Sequence, residues 1–262
     1  MTAVDNVSFS VSDGEIIGLI GPNGAGKSTT FNLIMGDLEP TDGVITYSGE
    51  EIQHVPTHER VREGLGRTYQ SPRHFEEFTV RENIASCTLS NDLLLDTTTE
   101  SGDTSVEEIL RRTGLSDQAA VYPSKLTPAE LRRLEIAKAL ATDPDVLLCD
   151  EVFAGITTEE ARELADLIET LRDEGLTLLL IDHVMEVLMP LVDRAIVLNF
   201  GQKIAEGDSD EVVANDTVRE VYLGESSGWP DESHRCLGPG GVLRKVTGCQ
   251  RSLLQCRPWG VG

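Results

Sequence analysis

The sequence predicts an α/β fold built on a parallel sheet, and three observations carry that reading. Four short apolar runs recur along the chain, an amphipathic helical pattern separates two of them, and a glycine-rich loop follows the first. Runs that are apolar at nearly every position mark strands buried on both faces, because a strand with one wet face would alternate.

The first run is Ile16-Ile17-Gly18-Leu19-Ile20, and the second is Val146-Leu147-Leu148-Cys149. Residues 176–181 supply the third and Ala195-Ile196-Val197-Leu198 the fourth. Between the second and third, residues 158–173 put Ala161, Leu164, Ala165, Ile168 and Leu171 on one helical face with charges on the other, the pattern of a crossover helix. No internal repeat is evident.

Directly after the first run, Gly21-Pro22-Asn23-Gly24-Ala25-Gly26-Lys27-Ser28-Thr29 satisfies the pattern G-x-x-x-x-G-K-[ST], between a strand and a helix as its chemistry requires. Its glycines let successive main-chain N–H groups turn inward around phosphates, and the helix N-terminus adds its positive end. Asn23, Gly24, Ala25, Gly26, Lys27, Ser28 and Thr29 are therefore the expected residues around the phosphates of a nucleotide, which the family resemblance stated below makes ATP. Lys27 would reach the β- and γ-phosphates, and Ser28 would ligate Mg²⁺.

The second run ends in two carboxylates, Asp150 and Glu151. Asp150 at the strand tip is expected to hold Mg²⁺ through water, and Glu151 to orient or deprotonate the attacking water. Ile181-Asp182-His183 repeats the layout of a strand followed by polar groups, and His183 there could contact the γ-phosphate.

Composition narrows the remaining classes. The chain has 262 residues, with 45 Asp+Glu against 22 Lys+Arg and a net charge of −23. That length buries a full core without staples, and five cysteines are too few for a disulfide scaffold. No apolar run approaches the roughly 18 residues of a membrane span, and the first residues lack a basic then apolar leader, so the cytosol is expected. An acidic surface disfavours nucleic acid, which is bound by clustered Lys and Arg. The acidic excess is spread over the chain, which a high-salt cytosol would explain, since short Debye lengths there screen self-repulsion; the alternative is an acidic protein from an ordinary cell.

Composition changes near Gly224. Residues 225–262 carry a net charge of +2, which leaves −25 on residues 1–224, and they hold three of the five cysteines and both tryptophans. Glycine and proline clusters and the lack of a sustained period make this stretch an expected disordered tail, dispensable for ATP binding. Within the first segment, residues 91–105 read as a polar surface loop, and His54, His58 and His74 as solvated.

These motifs, in this order and spacing, resemble the ATP-binding cassette (ABC) ATPases that power membrane transporters, over about residues 2–224. The resemblance implies a P-loop NTPase core of RecA-like type, with a smaller helical subdomain inserted at about residues 72–140. It places Gln70, in Gly66-Arg67-Thr68-Tyr69-Gln70, at the glutamine loop, which touches Mg²⁺ and relays nucleotide state to the permease. The signature segment falls at Leu126-Thr127-Pro128-Ala129-Glu130, where the family usually has L-S-G-G-Q facing the ATP of the other subunit. Thr127, Ala129 and Glu130 are the implied contacts.

Read from the residues, Thr127-x-x-Glu130 is a capping box with Pro128 at the first helical position, so the helix end is kept although Pro128 has no N–H to donate. Members also begin with a further strand and an adenine-stacking aromatic loop ahead of the equivalent of Thr2-Ala3-Val4-Asp5. Either Met1 is a late start, or adenine is held less tightly.

Residues 23–30, 132–140, Ala154-Gly155-Ile156 and Val221-Tyr222-Leu223-Gly224 look most like the ATPase subunits of branched-chain amino-acid importers. The implied partners are permease subunits, a second ATPase subunit in a homo- or heterodimer, and indirectly a solute-binding protein. The implied place is the inner face of the cell membrane. Alternative readings are a soluble ATP-gated clamp and a low-turnover nucleotide-binding module.

Overall fold

The computed structural model describes residues 3–70, 73–92, 101–223, 252–256 and 260–261. In chain order the first elements are β1 (Val4–Asp5), β2 (Phe9–Ser12), β3 (Ile16–Ile20), α1 (Lys27–Met35), β4 (Ile45–Tyr47), β5 (Glu50–Glu51), α2 (Thr57–Arg62) and β6 (Leu65–Arg67). Three helices follow, α3 (Val80–Asp92), α4 (Ser101–Arg112) and α5 (Pro128–Leu140). Next come β7 (Val146–Asp150), α6 (Thr158–Asp173), β8 (Thr177–Ile181), α7 (Met185–Leu191), β9 (Arg194–Asn199) and β10 (Gln202–Gly207). The last are α8 (Ser209–Ala214), α9 (Asp216–Leu223), β11 (Ser252–Cys256) and β12 (Gly260–Val261).

The main sheet has the order β10-β9-β3-β8-β7-β6. All its neighbours are parallel except the edge pair β9 and β10. Its central strands explain the continuous apolar runs. Ile16 and Ile20 of β3, Leu147 and Cys149 of β7, and Leu178 and Leu180 of β8 point into one core with α5, α6 and α7. Their neighbours Ile17, Leu19, Val146, Leu148, Leu179 and Ile181 point into a second core with α1, β2 and β4. The four expected strands and the crossover helix are therefore β3, β7, β8, β9 and α6, with Leu176 just outside β8.

A buried cation secures α1 at its far end. Arg60 of α2 is fully buried and donates to the carbonyls of Leu33 (2.7 Å), Ile34 (2.6 Å) and Val55 (2.7 Å). Gly36 is left-handed (φ +79°), and a Cβ there would meet the Arg60 guanidinium at 2.9 Å, so this close approach needs glycine.

Helices α3, α4 and α5 lie between β6 and β7 in the chain and share the first core through Val80, Ile84, Leu110 and Leu134. Residues 72 and 224, where the expected boundaries fall, lie outside the described residues. The polar segment 91–105 departs from the expected loop. Residues 91–92 end α3 and 101–105 begin α4, while 93–100 lie outside the described residues. Packing of Val106 and Leu110 on the core carries the helix back into polar sequence that has little apolar signal of its own.

The tail also departs from expectation where it is described. Strand β11 lies between β2 and β4 in an antiparallel sheet of order β2-β11-β4-β5, and β12 pairs with β1. Leu254 is registered opposite Val11 and Tyr47, and Cys256 opposite Phe9 and Ile45, all four of them buried. An alternation only three residues long, Leu254-Gln255-Cys256, was too short to read as a strand without its partners. The rest of residues 225–262 lies outside the described residues.

Candidate active site

The loop after β3 turns directly into α1, whose N-cap Gly26 is left-handed (φ +103°). A Cβ on Gly26 would lie 2.7 Å from the Ala3 carbonyl oxygen, so both its backbone angle and its surroundings require glycine. The Lys27 ammonium lies at the base of this loop, donating to the carbonyls of Gly21 (2.7 Å) and Pro22 (3.0 Å). A cavity of about 180 Å³ opens over the helix end. It is lined by Ala3, residues 23–29, Glu151 and His183.

Residues 23–29, Glu151 and His183 thus meet at one cavity from the ends of three strands, β3, β7 and β8. Strand β7 stops at Asp150, and Glu151 turns left-handed (φ +54°), an uncommon conformation for a side-chain-bearing residue. Its own N–H donates to the Ile181 carbonyl at 2.7 Å, which fixes the turn against β8. The carboxylate is then held from two sides. Gln70 Nε2 donates to Oε2 at 2.6 Å, and His183 Nε2 lies 2.9 Å from Oε1.

Asp150 is deeper. Arg67 Nη2 donates to its Oδ2 at 3.1 Å, and the Asp150 N–H donates to the Thr68 hydroxyl at 3.2 Å. Burial raises the Asp150 pKa, and the Arg67 guanidinium opposes that rise. Ser28 lines the cavity, whereas Gln70 and Asp150 do not and reach it only through Glu151 and the end of β7; their hydroxyl, amide oxygen and carboxylate are hard-oxygen donors of the kind that suits Mg²⁺.

Thr127, Ala129 and Glu130 do not line this cavity. The capping box is formed as the spacing suggests. Glu130 N–H donates to Thr127 Oγ1 at 3.2 Å, and the Thr127 N–H donates to Glu130 Oε2 at 2.7 Å. The Glu130 carboxylate is therefore turned onto its own helix end. Replacing Thr127 by alanine is expected to cost about 1 kcal/mol through the lost cap. In thermal unfolding that corresponds to a fall of roughly 2 to 4 °C, with Thr127→Ser close to the parent.

Three residues of the site escaped the sequence reading. Arg67 is 7% exposed, bonds Asn32 Oδ1 (2.7 Å) and Asp37 Oδ2 (3.2 Å) as well as Asp150, and lies over the rings of Phe31 and Tyr69. Arg132 of α5 donates to the carbonyls of Gln70 (2.9 Å) and Ala154 (3.0 Å), tying that helix to both sides of Glu151. Asp182 accepts main-chain N–H groups from Phe153 (2.8 Å), His183 (2.8 Å) and Val184 (3.0 Å). Burial raises its pKa and these three donors oppose the rise. Only the position of Asp182 beside His183 hinted at its part. His74 departs from its solvated reading, with a side chain 12% exposed and Nε2 3.1 Å from Glu76 Oε1, whereas His54 and His58 are exposed.

Comparison with known proteins decides the family. The ABC transporter family model matches residues 4–154. The chain belongs to the ABC transporter family of ATP-binding cassettes. A model of the branched-chain amino acid ATP-binding cassette transporter type matches residues 202–227 of this cassette. The cassette is 38% identical over 239 residues to the high-affinity branched-chain amino acid transport ATP-binding protein LivG of Salmonella typhimurium, covering 86% of this chain and 93% of that one. It is also 36% identical to the lipopolysaccharide export system ATP-binding protein LptB of Haemophilus influenzae, with 85% and 91% covered. Among solved structures, the ADP conformation of the ABC cassette MJ1267 is 31% identical with a TM-score of 0.76, covering 85% of this chain and 93% of that one. The cassette is an ABC ATPase of the P-loop α/β type, and cassettes of this family dimerise and work with transmembrane permease subunits. Among the described residues no helix is long and apolar enough to cross a membrane.

Proposed function

We propose that this cassette is the ATP-hydrolysing subunit of an importer for a small solute of the branched-chain amino-acid class. The observation that carries the hydrolytic part is the Glu151 carboxylate, aimed into the phosphate-loop cavity and gripped by Gln70 and His183. The importer part is supported by the match at residues 202–227 and by the likeness to LivG.

In this reading residues 23–29 wrap the phosphates of ATP, and Lys27 exchanges its carbonyl partners for the β- and γ-phosphates. Ser28, Gln70 and Asp150 would hold Mg²⁺, which when bound neutralises charge developing on the phosphates. Glu151 takes the proton of the attacking water, and His183 supports both that carboxylate and the γ-phosphate. Thr127 and the Ala129 N–H face the ATP of a second ATPase subunit across the dimer. Glu130 serves them by capping rather than by contact. Phe75 and Phe78, exposed with ring centroids 5.1 Å apart and close in sequence to Gln70, offer the permease an apolar foothold on the inner face of the membrane.

Isolating the intact complex from membranes and identifying its permease and bound solute tests the assignment. A permease carrying a branched-chain amino acid supports it. The likeness to LptB favours an exporter instead, and recovery with a lipopolysaccharide-export permease would replace the importer reading.

The charge of the fold makes a separate prediction. With −25 on residues 1–224, thermal unfolding followed from low to molar KCl should show a rising midpoint as like charges are screened. A flat or falling midpoint would remove the high-salt reading.

A further inference from the structure

The two C-terminal strands pair with β1, β2 and β4, strands that flank the phosphate loop and the helix after it, an arrangement that composition argued against. Among the described residues, β2 has β11 as its ladder partner, and β11 alone joins β2 to the hairpin β4-β5. The strands it joins are part of the α1 support. Val11, Ile45 and Tyr47 are buried in the same core as Phe31, Leu33 and Ile34 of α1. Removing β11 would leave two strands with facing rows of unpaired N–H and C=O groups directly over that core.

The second strand runs closer still. Val261 is registered opposite Val4 and Gly260 opposite Asp5. The Asp5 N–H donates to the Gly201 carbonyl at 2.7 Å, and the Gly201 N–H donates to the Ala25 carbonyl at 3.0 Å. Ala3, one residue before β1, lines the cavity, and its carbonyl oxygen crowds both Gly26 and Gly201. Two main-chain hydrogen bonds therefore separate β1, which β12 holds, from the loop that wraps the phosphates.

We propose that β11 and β12 act as a clasp that positions the phosphate loop, so that the C-terminus of the chain tunes affinity for the phosphates of ATP. The proposal rests on residues 23–29 being the phosphate site. Strands from the two ends of one chain are used together, which makes the fold dependent on a segment that sequence composition sets apart. The clasp positions the site without touching the reacting atoms, so it acts on binding and leaves the chemical step alone.

Two experiments on the full chain test it. First, Ser10→Cys with Gln255→Cys places thiols at registered opposite positions, with Cys236, Cys249 and Cys256 replaced by serine. Opposed Cβ atoms lie about 5 Å apart, within reach of a short thiol cross-linker. A bridge within one chain, mapped by peptide mass, is expected. No bridge, or a bridge only between two chains, overturns the clasp whatever the nucleotide site does. Second, Val261→Pro denies β12 its ladder donor while leaving β11 in place. A fluorescent ATP analogue should bind between about two- and tenfold more weakly, the range for one main-chain hydrogen bond. The KM for ATP should rise by the same factor with kcat unchanged. Unaltered affinity in a chain that still cross-links overturns the positioning role, and so does a loss of kcat at constant KM.

Discussion

Replacing Glu151 by glutamine is expected to lower ATP turnover by roughly 10² to 10⁴, the range for a lost general base, with ATP binding retained. The structure makes this substitution informative. A glutamine oxygen can still accept from Gln70 Nε2, and its amide can donate to a His183 tautomer that accepts at Nε2, so both bonds to the carboxylate have replacements. The left-handed turn at position 151 suits neither residue better, so the backbone is unchanged. What disappears is the ability to take a proton. Because hydrolysis reopens the dimer in the proposed cycle, the variant should also accumulate as an ATP-bound dimer in size-exclusion chromatography. Equal steady-state rates in parent and variant would sink the role.

Lys27→Ala should abolish tight ATP binding. A unit charge beside a phosphate at about 4 Å is worth about 4 kcal/mol at an effective dielectric near 20, so affinity should fall by roughly 10³. The lysine has a second task, since its ammonium ties the carbonyls of Gly21 and Pro22. Lys27→Arg keeps the charge but carries a planar fork, which separates the two contributions. Nucleotide titration with a parallel unfolding curve checks the outcome. If Lys27→Ala binds ATP as the parent does, residues 23–29 are not the phosphate site.

The parts of this molecule that could be read from sequence are those whose signal is local. The apolar runs of β3, β7 and β8 announce burial on both faces because alternate residues feed two different cores. The phosphate loop, the two carboxylates at the end of β7 and His183 after β8 lie at strand ends that the same runs define. The capping box at Thr127 and Glu130 is likewise a matter of four consecutive residues. The misses are long-range. Arg67 and Asp150 are 83 positions apart, and nothing in Gly66-Arg67-Thr68 says that the cation turns inward. Ser10 and Gln255 pair across nearly the whole chain, against a change of composition that suggested separation. Polar residues 101–105 become helical only because the following turn has a core to pack on.

Arg60 gives the phosphate loop an electrical asymmetry. Helix α1 is nine residues long, so the carbonyls that Arg60 caps lie roughly 14 Å from the end that faces the cavity. The peptide dipoles of such a short rod leave partial negative charge at the capped end, and any phosphate at the other end would feel that charge as well as the positive pole. The buried guanidinium cancels it. At an effective dielectric near 20, one charge at that distance amounts to roughly 1 kcal/mol for each unit of phosphate charge. A nine-residue helix with its negative pole covered attracts an anion as a longer one would, and the cation responsible lies out of reach of solvent ions, where salt screens it least.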